Sequence, residues 1–243
     1  MTPQTIAEDT PKGFEAVVSE RRSIRGFLPD PVPSDLLLKV FGTAQLAPSN
    51  CNVQPWHVHI VSGQSADDMR AALSTAALSG SGPRPDLELT GPYPDVYRRR
   101  QIDAAVTLFS ATGVARDDKS GRQQSMMRNF RFFDAPHAAF ILMPGWAGYR
   151  EAADCGMYLQ TLMLTMTANG LASCAQGALS HYGEVVRRQL GVGDDMNVLM
   201  GLAFGFEDRL HPANAAVTTR ADLADAVTFH VAGATDNAYK RNS

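Results

Sequence analysis

The sequence predicts one α+β domain over residues 1–243, in which a mixed, mostly antiparallel sheet is flanked by helices. Three observations support this prediction. Segments with strand patterns alternate with segments of helical periodicity, no internal repeat or linker divides the chain, and 243 residues can bury a large core without disulfides.

The chain is predicted to begin with two helices joined by an arginine-rich connection. Thr10 and Pro11 form a typical helix start, and apolar residues follow at helical spacing up to residue 20. A second amphipathic helix is predicted for residues 33–47. It ends before Pro48, because a residue that precedes proline avoids the α region.

A polar loop over residues 48–56 leads into the first predicted strand. Polar and apolar side chains alternate over residues 57–61, as in a strand with one buried face. Ser65 begins a capping-box-like start for a helix to residue 78. Residues 79–94 are rich in Gly, Pro and Ser and predict a long loop, which makes them a candidate element on the substrate side.

Two further helices and a buried strand are predicted in the middle of the chain. The helices cover residues 95–114 and, after a polar break at 117–121, extend to residue 130. The unbroken apolar run 138–143 is typical of a strand that is buried on both faces.

The last third of the chain predicts a helix, a strand, a second helix and a final strand. Residues 151–169 are apolar almost all round, which predicts a helix buried on every side. A short strand at 171–174 is followed by a turn, a helix over 181–190 and a strand over 198–206.

Composition and charge exclude several classes of protein. The net charge of -3 argues against general binding to nucleic acid. Charged residues make up only 19% of the chain, and because such residues are depleted at the cores of subunit interfaces, this low share is a hint of an oligomer. Cys51, Cys155 and Cys174 form neither a disulfide framework nor a CxxC motif. No secretory signal or membrane span is recognisable, and a cytoplasmic protein is expected.

Familiar catalytic signatures are missing from the sequence. It contains no HExxH, GxSxG, GxxxxGK[ST] or GxGxxG motif. His57 and His59 share one face of a predicted strand, but no Cys, Asp or Glu accompanies them, so no metal site is expected.

The arginine-rich connection is the strongest candidate for a binding site. If the first helix continues by one turn, Arg21 and Arg25 fall on one face, and Ser23 adds a hydroxyl donor. Such a set suits a phosphate dianion. The alternative is a solvated basic surface. The loop over 48–56 is dense in amides and hydroxyls, so it can bond the edge of a flat heterocycle or form an ordinary polar turn.

Together, the run from Arg21 to Arg25 and the segments Ala47-Pro48-Ser49 and Gln54-Pro55-Trp56 resemble the FMN-dependent nitroreductase family, in its nitrobenzoate and nitroarene reductase branch. The likeness extends over nearly the whole chain and is weakest at residues 62–93. It implies a nitroreductase-like fold, a domain-sharing homodimer with FMN at the interface, and ping-pong transfer of hydride from NAD(P)H to nitroaromatic compounds.

The resemblance also implies roles for individual residues. Arg21, Arg22, Ser23 and Arg25 would bind FMN, with Arg220 as a further phosphate ligand, while Pro48, Ser49 and Asn50 of the partner chain would meet the isoalloxazine. The turn Gln176, Gly177, Ala178 and Leu179 would lie against the ring, with a backbone N–H directed at flavin N5, and Gly205 would sit close to the cofactor. No catalytic side chain is expected, because the flavin carries the hydride.

The substrate side is less well defined by the sequence. The branch often has Gly and Ser where this chain has Asn50 and Cys51 at the pocket mouth. Cys51, Tyr97 and Phe132 are the candidate substrate contacts, together with Phe130 and Phe133, because an electron-poor ring favours flat apolar walls. The same aromatic residues suit an ordinary core.

Three other functions are compatible with parts of the pattern. A reductive dehalogenase of halophenols would use the same fold and cofactor, and a non-enzymatic flavin-binding protein would need the same arginines without an open acceptor site. A nucleic-acid binder would use the run Arg98 to Arg100 beside Tyr93 and Tyr97, although a solvated helix face explains that run more simply.

Overall fold

The computed structural model describes residues 13–89 and 91–230. Within these ranges the α-helices are α1 (Phe14–Glu20), α2 (Ser34–Ala44), α3 (Gly63–Leu78), α4 (Asp95–Thr112), α5 (Lys119–Met127), α6 (Tyr149–Ala168), α7 (Gly183–Leu190) and α8 (Leu223–Ala226). The strands are β1 (His57–Ser62), β2 (His137–Pro144), β3 (Ala172–Gln176) and β4 (Met196–Gly205). The predicted start of the first helix, at Thr10 and Pro11, lies outside the described residues.

The four strands form one sheet in the order β1-β2-β4-β3, and every pair is antiparallel. The predicted α+β class with a mostly antiparallel sheet is therefore confirmed. β2 and β4 occupy the centre, and a register shift lies between Ile141 and Leu142. β2 is buried on both faces along most of its length, as its unbroken apolar run predicts.

Two hydrophobic cores lie on the two faces of this sheet. Ala138, Phe140 and Leu142 of β2 belong to one core, which α3 and α7 cover. Ala139 and Ile141 alternate with them and belong to the other core, which α2 and α6 cover. Because successive side chains of β2 point to opposite faces of the sheet, this one strand contributes to both cores.

The helix α6 is not buried on every side, so that prediction is wrong for the chain as it stands alone. Its buried residues include Tyr158, Leu162 and Met166, whereas Met157 is 40% exposed. The apolar residues exceed what one chain covers, which leaves an apolar face on α6 open.

Two predicted boundaries differ because local backbone geometry overrides the sequence pattern. α3 begins at Gly63 rather than at Ser65, whose hydroxyl donates to the Ser62 carbonyl oxygen at 2.9 Å instead of capping the helix. The helix predicted to reach residue 130 ends at Met127 and is followed by the 3-10 segment Arg128–Asp134, where Phe132 and Phe133 have positive φ.

The long loop over residues 79–94 is fixed in its middle. The Asp86 carboxylate forms an ion pair with Arg187 of α7 and accepts the Val198 N–H at 2.9 Å. A Cβ added at Gly183 would lie 2.3 Å from the Asp86 side chain, so glycine is required for this approach. The loop is therefore attached to the body of the chain at Asp86.

No helix in residues 13–89 and 91–230 is both long enough and apolar enough to cross a membrane.

We predict that the buried imidazole of His137 makes the fold less stable in acid. Its Nε2 accepts the Val32 N–H at 2.8 Å and its Nδ1 lies 2.5 Å from Ser62 Oγ, an arrangement that needs a neutral ring. Burial lowers the pKa of His137 in the folded chain. The unfolded chain gains this proton as the pH falls through about 6.5, so the free energy of unfolding decreases below that pH.

The contribution of His137 has a maximum slope of about 1.4 kcal/mol per pH unit. Urea unfolding at several pH values should therefore show a shallower acid slope for His137→Gln, whose amide oxygen can still accept the Val32 N–H. A residual slope is expected from His59, His181 and His211, whose pKa values burial also lowers. An identical slope in the variant would contradict the assignment.

Candidate functional site

The arginine-rich connection is extended rather than helical. α1 ends at Glu20, Arg21 has extended backbone angles, and the Ile24 N–H donates to the Ser173 carbonyl oxygen of β3 at 3.0 Å. Ser23 and Ser173 form a parallel bridge. Because side chains alternate along an extended chain, Arg21, Ser23 and Arg25 share one side and Arg22 takes the other. The helix ends at Glu20, as predicted, so the conditional further turn does not form, and the grouping of Arg21 with Arg25 follows from the strand period instead.

The three side chains on that shared side converge on Cys174 of β3. Burial raises the pKa of the Cys174 thiol. Three smaller effects oppose this rise, in decreasing order: the charge of Arg25, a hydrogen bond with Ser23 and the charge of Arg21. Arg21 and Arg25 are half-buried, and no carboxylate within the described ranges forms an ion pair with either. Two guanidinium groups and a hydroxyl therefore form a cationic cluster to which the described residues supply no counterion. We refer to Arg21, Ser23 and Arg25 as the cationic cradle.

Arg22 has a different task from its neighbours. Its guanidinium forms an ion pair with Glu207 at 2.5 Å and donates to the Asn214 carbonyl oxygen. The side chain thus ties the segment after α1 to the segment that follows β4. Its implied contact with the cofactor, through the backbone or the side chain, stays a prediction, and in the described chain the guanidinium is engaged by Glu207 and Asn214.

Asn214 is a site residue that sequence reasoning missed. Its side-chain oxygen accepts the Arg25 N–H at 2.7 Å, and its amide donates to the Gly26 carbonyl oxygen at 2.9 Å. These bonds hold the backbone of the cradle from a segment nearly 190 residues away in sequence. Nothing in the sequence near Asn214 signals this contact, which depends on the tertiary structure.

The turn after β3 begins with a buried amide that has one unused oxygen. Gln176 is buried, and its Nε2 donates to the Asn129 carbonyl oxygen at 3.0 Å, while its Oε1 has no hydrogen-bond partner among the described residues. Gln176 lies two residues beyond Cys174, so both side chains point to the same side of β3. The orphaned oxygen and the cradle are therefore on one side of the strand.

The rest of that turn divides between surface and core. Gly177 is exposed and Ala178 half-buried in the 3-10 segment Gly177–Ser180. Leu179 is fully buried, and a Cβ added at its neighbour Gly201 would lie 2.9 Å from the Leu179 Cβ. The Leu179 side chain is thus a core residue, and only its backbone is available to a ligand.

Two further predicted cofactor contacts, Gly205 and Arg220, have contacts of their own within the described residues. A Cβ added at Gly205 would lie 2.8 Å from Pro136 Cδ, so close packing explains this glycine without a ligand. Arg220 is exposed, and its hydrogen bonds go to Thr218 and Thr219.

The loop over residues 48–56 is held by its own hydrogen bonds and by α6. Ser49 Oγ accepts the Gln54 N–H at 2.9 Å, and the Asn50 N–H points at the Asp154 carboxylate. At the loop exit, the Trp56 ring stacks on Tyr158 with centroids 5.0 Å apart. Pro48 and Asn50 are exposed and Ser49 is half-buried, so the loop offers its polar groups at the surface.

This loop and the cradle lie near opposite ends of α6 in one chain. Asp154, which contacts the loop, is in the second turn of α6, whereas Ser173, which contacts the cradle, follows the last turn. The 14 residues from Asp154 to Ala168 span about 21 Å of helix. Within a single chain, the structure therefore does not bring the ring contacts predicted in this loop next to the predicted phosphate contacts.

The candidate substrate residues also separate. Cys51 is exposed in the loop, and Tyr97 is 57% exposed on α4. Phe132 is fully buried, with its ring against Phe140 at a centroid distance of 6.0 Å, so its side chain lies in the core of the described chain, and its role as a substrate contact stays a prediction. Phe130 and Phe133 are buried as well, and the Arg25 guanidinium lies 6.0 Å from the Phe133 ring centroid. Of these aromatic residues, Phe133 is therefore the one that lies next to the cradle.

Comparison with known proteins identifies the family of this chain. The nitroreductase family model matches residues 18–206. The chain is 39% identical over 221 residues to nitroreductase NfnB of Mycolicibacterium smegmatis, which covers 91% of this chain and 94% of the relative. It is 31% identical over 195 residues to a 4-nitrobenzoate reductase of Pseudomonas putida, covering 80% of this chain and 86% of the relative.

Solved structures give the same result. The FMN-dependent nitroreductase NfnB from Mycobacterium smegmatis in complex with NADPH superposes with a TM-score of 0.86 at 39% identity, covering 89% of this chain and 97% of that structure. The FMN and NADPH-dependent nitroreductase NfnB from Sphigopyxis sp. strain HMH gives 0.88 at 33% identity, covering 90% and 100%. This chain belongs to the nitroreductase family.

Proposed function

We propose that this chain is an FMN-dependent oxidoreductase that reduces nitroaromatic compounds with NAD(P)H by two-electron hydride transfer. The cationic cradle carries the proposal, because Arg21 and Arg25 are half-buried without a carboxylate partner in the described part of the chain. Guanidinium groups bind phosphate strongly, and partial burial strengthens that attraction. Relatives whose names specify FMN, NADPH and nitroaromatic compounds support FMN as the anion and a nitroarene as the acceptor.

The residues present fit an FMN molecule. The cradle provides two cations and a hydroxyl for the phosphate, and the unused Gln176 oxygen on the same side of β3 needs a donor such as a ribityl hydroxyl or the flavin N3–H. Gly177 is exposed and Ala178 half-buried, so the backbone of this turn would supply N–H groups to the ring, including the one expected at flavin N5. When bound, FMN supplies the hydride transfer, which no side chain can perform.

The chain's own residues bind and orient the reactants in this scheme. Arg21, Ser23 and Arg25 hold the phosphate, with Arg220 as a further ligand, while Asn214 fixes the backbone of the cradle. Asn50 and Cys51 border the space in which NAD(P)H and the nitroarene alternate, and Tyr97 provides an exposed aromatic ring. Such alternate use of one space produces ping-pong kinetics.

We propose a domain-sharing homodimer with FMN at the interface. The loop over 48–56 lies about 21 Å along α6 from the cradle, so a partner subunit is the simplest source of both contacts to one flavin. Exposed apolar residues support an interface: Phe14 and Val18 lie one turn apart on α1, and α1 packs on α6, which exposes Met157. Beyond β4, Leu223 and Phe229 are also more than half exposed.

We further propose that residues 1–243 act as one FMN-binding domain in the cytoplasm. Both cores share the same central strands, which supports a single unit. Cys51, Cys155 and Cys174 are free thiols, as expected in a reducing compartment.

The proposed activity is tested by anaerobic titration of the purified protein. We expect a yellow protein whose flavin absorbance is bleached by NADPH or NADH and restored by a nitroarene such as 4-nitrobenzoate. A colourless protein that takes up no FMN would contradict the proposal. Flavin that NAD(P)H cannot reduce would indicate a carrier, and halide release from a halophenol without consumption of nitroarene would indicate a dehalogenase.

Because Arg21 and Arg22 lie on different sides of the extended segment, we predict that Arg21→Ala and Arg22→Ala affect different properties of the protein. Arg21→Ala removes a charge-assisted phosphate contact worth about 1.5–3 kcal/mol, so the Kd for FMN should rise roughly tenfold to hundredfold. Arg220→Ala should weaken FMN binding in the same direction. Flavin fluorescence during refilling of the apoprotein measures these constants.

Arg22→Ala is the matched control for Arg21→Ala. It breaks the ion pair with Glu207 and should lower the Tm while leaving the Kd for FMN within about threefold of the wild-type value. Unchanged FMN affinity in both Arg21→Ala and Arg220→Ala would contradict the phosphate assignment. An Arg22→Ala protein that loses FMN at unchanged Tm would contradict the division into two faces.

A shared site predicts that dissociation of the dimer releases the cofactor. Dilution followed by sedimentation should show the monomer appearing together with free FMN, because each flavin loses the contacts of one subunit. A monomer that retains FMN with unchanged affinity would contradict an interfacial site.

A further inference from the structure

A buried carboxylate lies beneath the loop over residues 48–56. Asp154 is 4% exposed in α6, and each of its two oxygens lies 3.2 Å from the Asn50 backbone nitrogen. Within the described ranges, it forms no ion pair with a Lys, Arg or His side chain. A single backbone N–H is therefore the hydrogen-bond donor that the structure gives to this carboxylate. This N–H is shared between the two carboxylate oxygens, each at the upper end of the usual distance range for an N–H···O bond.

The loop above Asp154 has a conformation that its own sequence disfavours. Cys51, Asn52 and Gln54 have φ values of 48°, 56° and 49°, in the left-handed region that non-glycine residues rarely adopt. Three such residues within four positions require support from their surroundings. The loop therefore needs an anchor outside itself.

The hydrogen bonds inside the loop do not supply that anchor. The Val53 N–H donates to the Asn50 carbonyl oxygen at 3.0 Å, and the Gln54 N–H donates to Ser49 Oγ at 2.9 Å, so both bonds begin and end within the loop. Trp56 anchors the exit by stacking on Tyr158 and by donating to Gln45 Oε1 at 3.1 Å. The Asn50–Asp154 contact is the hydrogen bond that joins the beginning of the strained turn to α6.

We infer that Asp154 is a positioning residue that holds this loop in its left-handed conformation and so sets the places of Asn50 and Cys51. The catalytic part of this inference rests on the proposed function, which puts these two residues at the acceptor pocket. The structural part does not need a flavin. Asp154 itself acts through the Asn50 N–H, because its buried oxygens are directed at that group.

Hydrogen exchange on the protein as purified tests the structural part. Asp154→Val removes the acceptor, and the amides of residues 49–54 should then exchange about tenfold faster or more, as expected for loss of a hydrogen bond to a charged group. Asp154→Asn keeps a side-chain oxygen for the Asn50 N–H and should exchange at nearly the wild-type rate. Glu151→Gln is the matched control, because Glu151 is an acid on the same helix that accepts the Gly148 N–H instead.

A second variant approaches the same bond from the loop, in case Asp154→Val fails to fold. Asn50→Pro deletes the donor N–H at the first position of a 3-10 segment, and the extended backbone of Ser49 suits a following proline. It should raise exchange over residues 51–54 as Asp154→Val does. Wild-type exchange in both variants would overturn the inference, as would an Asp154→Asn protein whose loop exchanges as fast as that of Asp154→Val.

Steady-state kinetics test the catalytic part. Asp154→Val should raise the KM for a nitroarene about tenfold, and Asp154→Asn should restore it to nearly the wild-type value. The control Glu151→Gln should leave this KM unchanged. Unchanged KM values despite faster loop exchange would overturn the positioning role. If the protein bound no FMN at all, the proposed function would fail, whereas the exchange results would still decide whether Asp154 holds the loop.

Discussion

The pairing of the segment after α1 with β3 is the constraint on which the site depends. Because the Ile24 N–H bonds to the Ser173 carbonyl oxygen, the arginine-rich segment is held extended along the sheet edge. An extended chain sends alternate side chains to opposite sides, so one short segment serves two purposes. Arg21, Ser23 and Arg25 form the cradle, while Arg22 ties the segment to Glu207. A helix would have mixed these tasks on one surface.

The helix α6 connects the two halves of the site without bringing them together. Near its beginning, Asp154 and Tyr158 hold the loop over 48–56, and beyond its end the chain returns as β3 beside the cradle. The length of the helix therefore separates the loop over 48–56 from the cradle within one chain. The same helix keeps an apolar face open at Met157, so its composition fits a chain whose burial is completed by a partner.

Local sequence patterns predicted the elements of the fold well where burial follows a regular period. The run 138–143 specified β2, since a strand that is buried on both faces leaves a distinct pattern. The alternation in 57–61 located β1, but its burial differs from the predicted single buried face, because Ile60 is 42% exposed and Val61 is buried. Boundaries were less predictable at Ser65 and after Met127. After Met127, for example, the apolar periodicity favours a longer helix, but the chain changes to a 3-10 segment in which Phe132 and Phe133 have positive φ.

The chemistry of the cradle was also visible in the sequence, but its geometry was not. Arginines around a serine indicate an anion site through residue type alone. Whether Arg22 belongs to that site depends on helix or strand geometry, which the pairing with β3 determines. Asn214 and Asp154 could not be assigned, because their contacts join residues 189 and 104 positions apart in the chain. Aromatic character likewise did not separate a substrate wall from a core, and only the packing against Phe140 places the Phe132 side chain in the core of the described chain.

The sequence by itself thus determined the α+β class, the strands and helices, and the residue types suited to phosphate and flavin, because these follow from local periodicity and side-chain chemistry. Tertiary structure alone decided which side each arginine faces, which carboxylate holds the strained loop, and how far apart the two halves of the site lie. Those features arise from hydrogen bonds and packing between distant segments, and no local pattern encodes them.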